Sequence, residues 1–306
     1  METASTGPLK IDVAPCEQQG EVLRLLFRHL APDAQLALVT TLLAGSAAGA
    51  LPMAGLLRAC RGDQLVGATW VQIQPGKTGV LWPPRLEPNG DPDTAQQLMA
   101  AANDFLSRHQ VSLAQTLLED PHSTDAELLV QNGYTHLADL LYLVSTEAFF
   151  PTEPPHCGLE FEPYSDRSRA RLKAIVEQTY EHTADCPELN GSRDLEDVLT
   201  GYQATGVFSP EHWRIVRAAG EDVGCLLLAD HPDAEQIELV YMGVVPAARG
   251  RGLGFQAAKY AQLLAHEAGR PRLVLAVDAR NAPALGMYAA ADFLRWDQRS
   301  VFVRVM

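Results

Sequence analysis

The segment VVPAARGRGLG, Val244–Gly254, sets Arg249 and Arg251 among glycines at 250, 252 and 254. Glycine lets a backbone approach a ligand closely and take up turns that a Cβ would strain. Unpaired N–H groups at a helix start, with guanidinium groups beside them, form a site for an anionic phosphate. A dinucleotide fingerprint would read G-x-G-x-x-G with an acid about 20 or more residues on. Gly250, Gly252 and Asp278 match parts of it, but Phe255 takes the place of the third glycine. A pyrophosphate bound in some other way is the better reading.

The neighbouring elements suit such a loop. QIELVYMGVV, Gln236–Val245, is apolar enough for a central strand, and Pro246 ends it, having no N–H for a ladder. A helix is expected from Gly252 to about Gly269, then a strand at Leu273–Val277 and a short helix at Pro283–Ala290. FLRW and VFVRV read as two closing strands. Upstream lie a strand at Gly158–Pro163 and an amphipathic helix at Asp166–Glu181. A polar loop at His182–Asp194, a helix holding Leu195, Val198 and Leu199, and a hairpin of WRIVRA with VGCLLLA follow. This order is that of a mixed α/β sheet flanked by helices.

The loop resembles the acyl-CoA motif [Q/R]-x-x-G-x-[G/A] of the GNAT superfamily of N-acyltransferases, with Arg249, Gly252 and Gly254 in the specified places. A downstream signature, N-x-x-A-x-x-x-Y-x-x-x-G-F, matches at Asn281, Ala284, Tyr288 and Phe293, with Asp292 replacing the glycine. The likeness covers about residues 158–306. It implies acetyl-CoA as co-substrate, its pantetheine arm running along Met242 and Val244. The amide of Val245 or of a near neighbour would hold the thioester oxygen, and the amides of Gly250, Arg251, Gly252, Leu253 and Gly254 the pyrophosphate. Asn281 and Ala284 would stand beside the arm. Tyr288 would give a proton to the leaving thiolate, and Glu238, expected on one strand face with Val240 and Met242, would take the acceptor's proton. Asp185, Glu188 and Asn190, in the loop that walls the acceptor site in this superfamily, would bind the acceptor. Cys186 lacks a His–Asp arrangement, so direct transfer to a primary amine is expected over a covalent intermediate.

The first half repeats the order of elements without the loop. Strands are expected at KIDVAP, MAGLLRAC, QLVGATWVQIQ, GVLW, VSLAQTLL and HLADLLYLV, and helices at 22–30, 35–43, 94–106 and 126–131. Where the loop should follow GVLW, the chain reads PPRLEPNGDPDTAQ. Its prolines lack donors and its acids repel phosphate. The fold expected is two tandem GNAT-like domains, residues 1–155 degenerate and 156–306 catalytic, meeting at the proline-rich Pro151–Pro155.

Composition narrows the partners. With 306 residues, 47% hydrophobic and 20% charged, the chain has the length of two ordinary domains. Its net charge of −14 divides as −9 to residue 155 and −5 beyond, so neither half offers nucleic acid a basic face. Cys16, Cys60, Cys157, Cys186 and Cys225 show no metal-ligand spacing and are odd in number, so reduced thiols in a cytoplasm and no metal are expected. Leu36–Leu57 is uncharged, but Thr40, Thr41, Gly45, Gly49 and Pro52 dilute it; a packed helix leading into a buried strand is expected, with no membrane span. The acceptor is left as a small molecule or a peptide. An acyl-CoA sensor without turnover is the alternative to an enzyme.

Overall fold

A computed structural model describes residues 7–88, 90–155 and 158–306, so the first six residues, Asn89, His156 and Cys157 lie outside it. Contacts divide the chain into two compact units: residues up to His136 with Phe302–Met306, and Leu137–Val301.

The first unit runs β1 (Leu9–Val13), α1 (Gln19–Leu26), α2 (Pro32–Ala47), β2 (Leu56–Arg61), β3 (Gln64–Gln74), β4 (Thr78–Leu86), α3 (Pro92–Arg108), β5 (Leu113–Leu118) and α4 (Thr124–Gln131). Its sheet is ordered β1-β2-β3-β4-β5, antiparallel as far as β4; β5 is parallel to β4 because the chain crosses over through α3. One apolar cluster lies around α3 and α4, including Leu98, Leu106 and Leu129. A second, including Leu23, Leu26 and Trp70, draws on α1. As expected, α2 is a packed helix: it fully buries Val39 and packs Leu38, Leu42 and Leu43 against the second cluster. Its Thr40 and Thr41 hydroxyls donate back to the Leu36 and Ala37 carbonyls. No helix among the described residues is long and apolar enough to cross a membrane.

The second unit opens on β6 (Thr135–Thr146). It continues through β7 (Leu159–Pro163), α5 (Arg169–Tyr180), α6 (Leu195–Gln203), β8 (Trp213–Ala218), β9 (Glu221–His231), β10 (Gln236–Val244), α7 (Leu253–Glu267), β11 (Arg272–Asp278), α8 (Ala282–Ala290) and β12 (Leu294–Val305). From β7 to β12 the order of strands and helices repeats that from β1 to β6. In α5, Leu172, Ile175, Val176 and Thr179 recur at helical spacing and are buried. The two closing strands expected from FLRW and VFVRV are one. Asp297–Ser300 holds no turn-forming glycine or proline, and the Ser300 hydroxyl donates to Asp139 Oδ1 at 2.6 Å, keeping the backbone extended.

Pro151–Pro155 does not divide the units. β6 pairs antiparallel with β11, Leu140 opposite Asp278 and Thr146 opposite Arg272, so a strand from the first half of the sequence belongs to the second unit's sheet. Strand pairing follows hydrogen bonding and side-chain fit across the ladder, which proximity in sequence does not reveal.

β9 and β10 approach closely at Gly224. A Cβ there would lie 2.2 Å from the Gly243 carbonyl oxygen. Backbone cannot yield as a side chain can, so Gly224→Ala is expected to destabilise the unit by about 1–3 kcal/mol. Urea unfolding at unchanged m-value measures the loss, and an unaltered midpoint would refute it.

Candidate active site

β10 and β11 pair in parallel only over Gln236–Glu238 with Arg272–Val274. Beyond that point β10 carries a bulge: Leu239 opposes Leu228, Tyr241 opposes Leu227, and Val240 is the extra residue. A bulge bends its strand and increases local twist. Here the two strands part and a cavity of about 620 Å³ opens, lined by Leu239–Val244 on one side and Ala276 and Val277 on the other.

The bulge also changes which residues share a face. Glu238 opposes Ala229 and Met242 opposes Leu226, so the pair expected on one face stands on opposite faces. Of Val245 and its near neighbours, expected to offer the oxyanion amide, Val245 itself spends its N–H on the Val223 carbonyl at 3.0 Å. Because N–H direction alternates along a strand, the Val244 and Met242 amides point the other way, to the edge facing the cavity.

The glycine loop closes one end of this cavity. Gly250 and Gly252 both adopt φ +74°, the left-handed region where a Cβ is strained. Gly252 caps α7 with no side chain to satisfy the first amides, which leaves them free for an anion. Leu253, Gly254, Asn281 and Ala284 join the lining. Arg249 lines it as well, but its guanidinium is committed to four carbonyls. It donates to Val244 at 3.0 Å, Glu181 at 2.8 Å, His182 at 3.1 Å and Thr179 at 2.8 Å. It ties the end of α5 to the loop and does not reach for phosphate. Arg251 is exposed and outside the lining.

Tyr288 sits in the wall, 5% exposed, its ring edge-on to Phe293. Burial, with the Asp185 charge adding, raises its pKa and keeps the hydroxyl protonated. Asn281 caps α8, its Oδ1 accepting from the Ala284 N–H at 3.2 Å. Thr179 and Tyr241, which sequence reasoning did not single out, share a hydrogen bond of 2.7 Å. Tyr180 and Tyr202 are also bonded, at 3.2 Å, and Tyr241 stacks on Tyr202.

The acids expected to bind the acceptor diverge. Asp185 lines the cavity, its Oδ1 accepting from the Asp278 N–H at 3.0 Å, while Asp278 Oδ2 accepts from the Cys186 N–H at 3.3 Å. Burial, and then the charge of Asp278, raise the Asp185 pKa. Glu188 is outside the lining and is gripped by both terminal nitrogens of Arg280, at 2.8 and 3.1 Å, which holds its carboxyl below the usual range. Asn190 donates to the Tyr180 carbonyl at 3.0 Å and secures the end of α5. Glu238 stands just before the bulge, outside the lining, with Oε2 2.8 Å from His231 Nε2. Cys186 is no nucleophile, its thiol pushed up to about 12 by burial and the neighbouring Asp185. Asp278, a ribose-binding acid in the dinucleotide reading, is fully buried and held by Arg280. No cluster of metal ligands occurs among the described residues.

The corresponding strand and helix of the first unit lack these donors. Its bulge on β4 falls at Pro83–Pro84, between Trp82 opposite Trp70 and Arg85 opposite Ala68, and proline has no N–H. The amide at the start of α3 is already taken: Asp91 accepts from Asp93 N–H at 3.0 Å.

A sheet parted at a bulge above a glycine-capped helix agrees with what comparison shows: residues 176–293 match the acetyltransferase (GNAT) family, and the second unit carries a domain of that family. In fold, the chain is similar to a GCN5-related N-acetyltransferase from Sphaerobacter thermophilus. The TM-score is 0.63 at 16% identity, over 98% of this chain and 96% of that one. Among curated proteins, the mycothiol acetyltransferase of Jonesia denitrificans is 34% identical over 100 residues, 32% of each chain. That of Pseudarthrobacter chlorophenolicus is 27% identical over 248 residues, 77% of this chain and 73% of its own. The first of these matches spans about a third of the relative's length.

Burial works against the Asp278 charge, but Arg280 and the amides of Arg280 and Cys186 outweigh it and lower its pKa. A folded-state pKa below the unfolded value stabilises the protein above the unfolded pKa, and that contribution disappears as pH falls through the folded one. Arg280→Met is expected to destabilise the protein at neutral pH and to raise the Asp278 pKa, so that the loss shrinks toward pH 4. Urea unfolding across pH 4–8 measures it; a deficit that stays constant with pH would refute the assignment.

Proposed function

We propose that the protein transfers the acetyl group of acetyl-CoA to a primary amine by direct attack in a ternary complex. The reading rests above all on the unpaired edge of β10, which meets the uncapped start of α7 in one cavity that also holds Tyr288. An extended pantetheine arm fits such an edge as an added strand would, and a pyrophosphate fits the helix start. Acetyl-CoA supplies the activated acyl group.

The chain's own residues then act as follows. The Val244 and Met242 amides bind along the arm and receive the thioester oxygen as it gains charge. Asp185 attracts the acceptor ammonium into the cavity. Glu238, beside the cavity-lining Leu239, takes the amine's proton through an intervening water. The amine nitrogen attacks the carbonyl carbon, the C–S bond breaks, and Tyr288 protonates the departing thiolate. The products are an N-acetylated amine and CoA. The curated relatives are named for mycothiol, which favours a small-molecule acceptor over a peptide.

We further read residues 1–155 as a degenerate repeat without acyl-CoA binding, since Pro83–Pro84 and the self-capped α3 remove the donors. One acetyl-CoA per chain follows. Cys16, Cys60, Cys186 and Cys225 are free, which suits a cytoplasmic setting.

Calorimetric titration with acetyl-CoA, using NAD as control, tests the central claim: one equivalent of the first and none of the second is expected. Tyr288→Phe should lower kcat by about 10²–10⁴ with acetyl-CoA affinity unchanged. Unchanged turnover would remove the acid role and leave a binding protein. At Gly254 a Cβ would meet nothing closer than Met287, at 3.8 Å, and a carboxylate in the first turn suits the helix dipole. Gly254→Glu should therefore leave Tm intact while weakening acetyl-CoA binding at least about tenfold, by repelling the pyrophosphate.

A further inference from the structure

Among the aromatic pairs that the reaction above does not use is that of Trp296 with Tyr142. Trp296 is 60% exposed, whereas Trp70 and Trp213 are almost wholly buried and Trp82 stacks on Trp70. Large aromatic side chains are usually buried for their apolar area, so a tryptophan held open on a sheet face stands out. Its ring lies edge-on to Tyr142, centroids 5.9 Å apart at 66°. Leu294, two residues earlier along the strand and so on the same face, is 65% exposed.

This surface is continuous with the cavity. Tyr142 directly opposes Ala276 in the β6–β11 register, and Ala276 lines the cavity. Directly opposed residues of an antiparallel pair place their side chains side by side on one face. Charge surrounds the ring as well: Tyr142 feels Glu238, Asp297 and Arg299, and Arg299 is engaged by Asp297 at 2.8 Å. Glu238 thus gives the surface an acidic margin on the side toward the cavity.

We propose that Trp296 and Tyr142 form the wall receiving the non-reacting body of the acceptor, and that they select cationic amines carrying a ring over linear amines of the same size. The inference rests on the acetyl transfer proposed above. A ring laid on the indole face contacts it with little conformational freedom to lose, whereas a flexible chain must freeze each of its bonds to do the same. The acidic margin attracts the ammonium, and a ring one methylene from the nitrogen leaves that nitrogen free to reach the cavity.

The test compares cyclohexylmethylamine with n-heptylamine as acceptors for the full-length protein, its Trp296→Ala and its Trp296→Phe variants. The wild type should favour the ring amine. Trp296→Ala should abolish the preference by raising KM for that amine at least about tenfold, with KM for acetyl-CoA unchanged, and Trp296→Phe should restore most of it. A preference that survives Trp296→Ala, or an equal loss for both amines, overturns the proposal. If acetyl-CoA binds but neither amine is acetylated, the proposed reaction has failed separately. The wall is then read from tryptophan emission of the acetyl-CoA-bound protein. A blue shift on adding cyclohexylmethylamine that is absent from Trp296→Phe upholds the wall, and no shift refutes it.

Discussion

A strand in the middle of a sheet that stops pairing halfway along leaves every second peptide group without a partner. Such groups are stable only when water or a ligand satisfies them. In the second unit this condition is created at Val240, where an extra residue bends β10 from β11. The cavity and its extended donor edge follow from that one residue. Other features hold the parted strands in place. Arg249 fastens the end of α5 to the neighbouring loop, and Arg280 joins Asp278, Glu188 and the Leu137 carbonyl.

The bulge also marks the limit of what the sequence discloses. Hydrophobic runs and glycine–proline punctuation locate nearly every strand and helix, since those signals are local. VVPAARGRGLG announces a helix start built for an anion, since φ +74° at Gly250 and Gly252 is a demand that glycine meets. A bulge has no comparable signature. Simple alternation therefore assigns Glu238 and Met242 to one face, where the structure sets them on opposite faces. Tertiary partners are equally hidden: nothing in the spacing tells that Arg249 ends on carbonyls, that Glu188 is held by Arg280, or that Asp278 shares its surroundings with Asp185.

The two halves show how little sequence separates a frame that offers free backbone donors from one that does not. Both keep the order of strands and helices, a parallel pair after the central strand and a bulge on it. In the first, prolines occupy the bulge and an aspartate satisfies the helix start. None of these changes disturbs the packing of Leu81, Leu98 or Leu106. Donors can therefore be removed while folding is retained, because they lie on the rim and the apolar residues beneath.

Phe302 is 2% exposed and belongs to the apolar cluster of the first unit, although it stands close to the end of β12. During synthesis the earlier half emerges long before the residue that completes its interior. The interior of the first unit is therefore closed by a residue that lies more than 160 positions after the rest of that cluster in sequence, so its contacts form late and over a long loop.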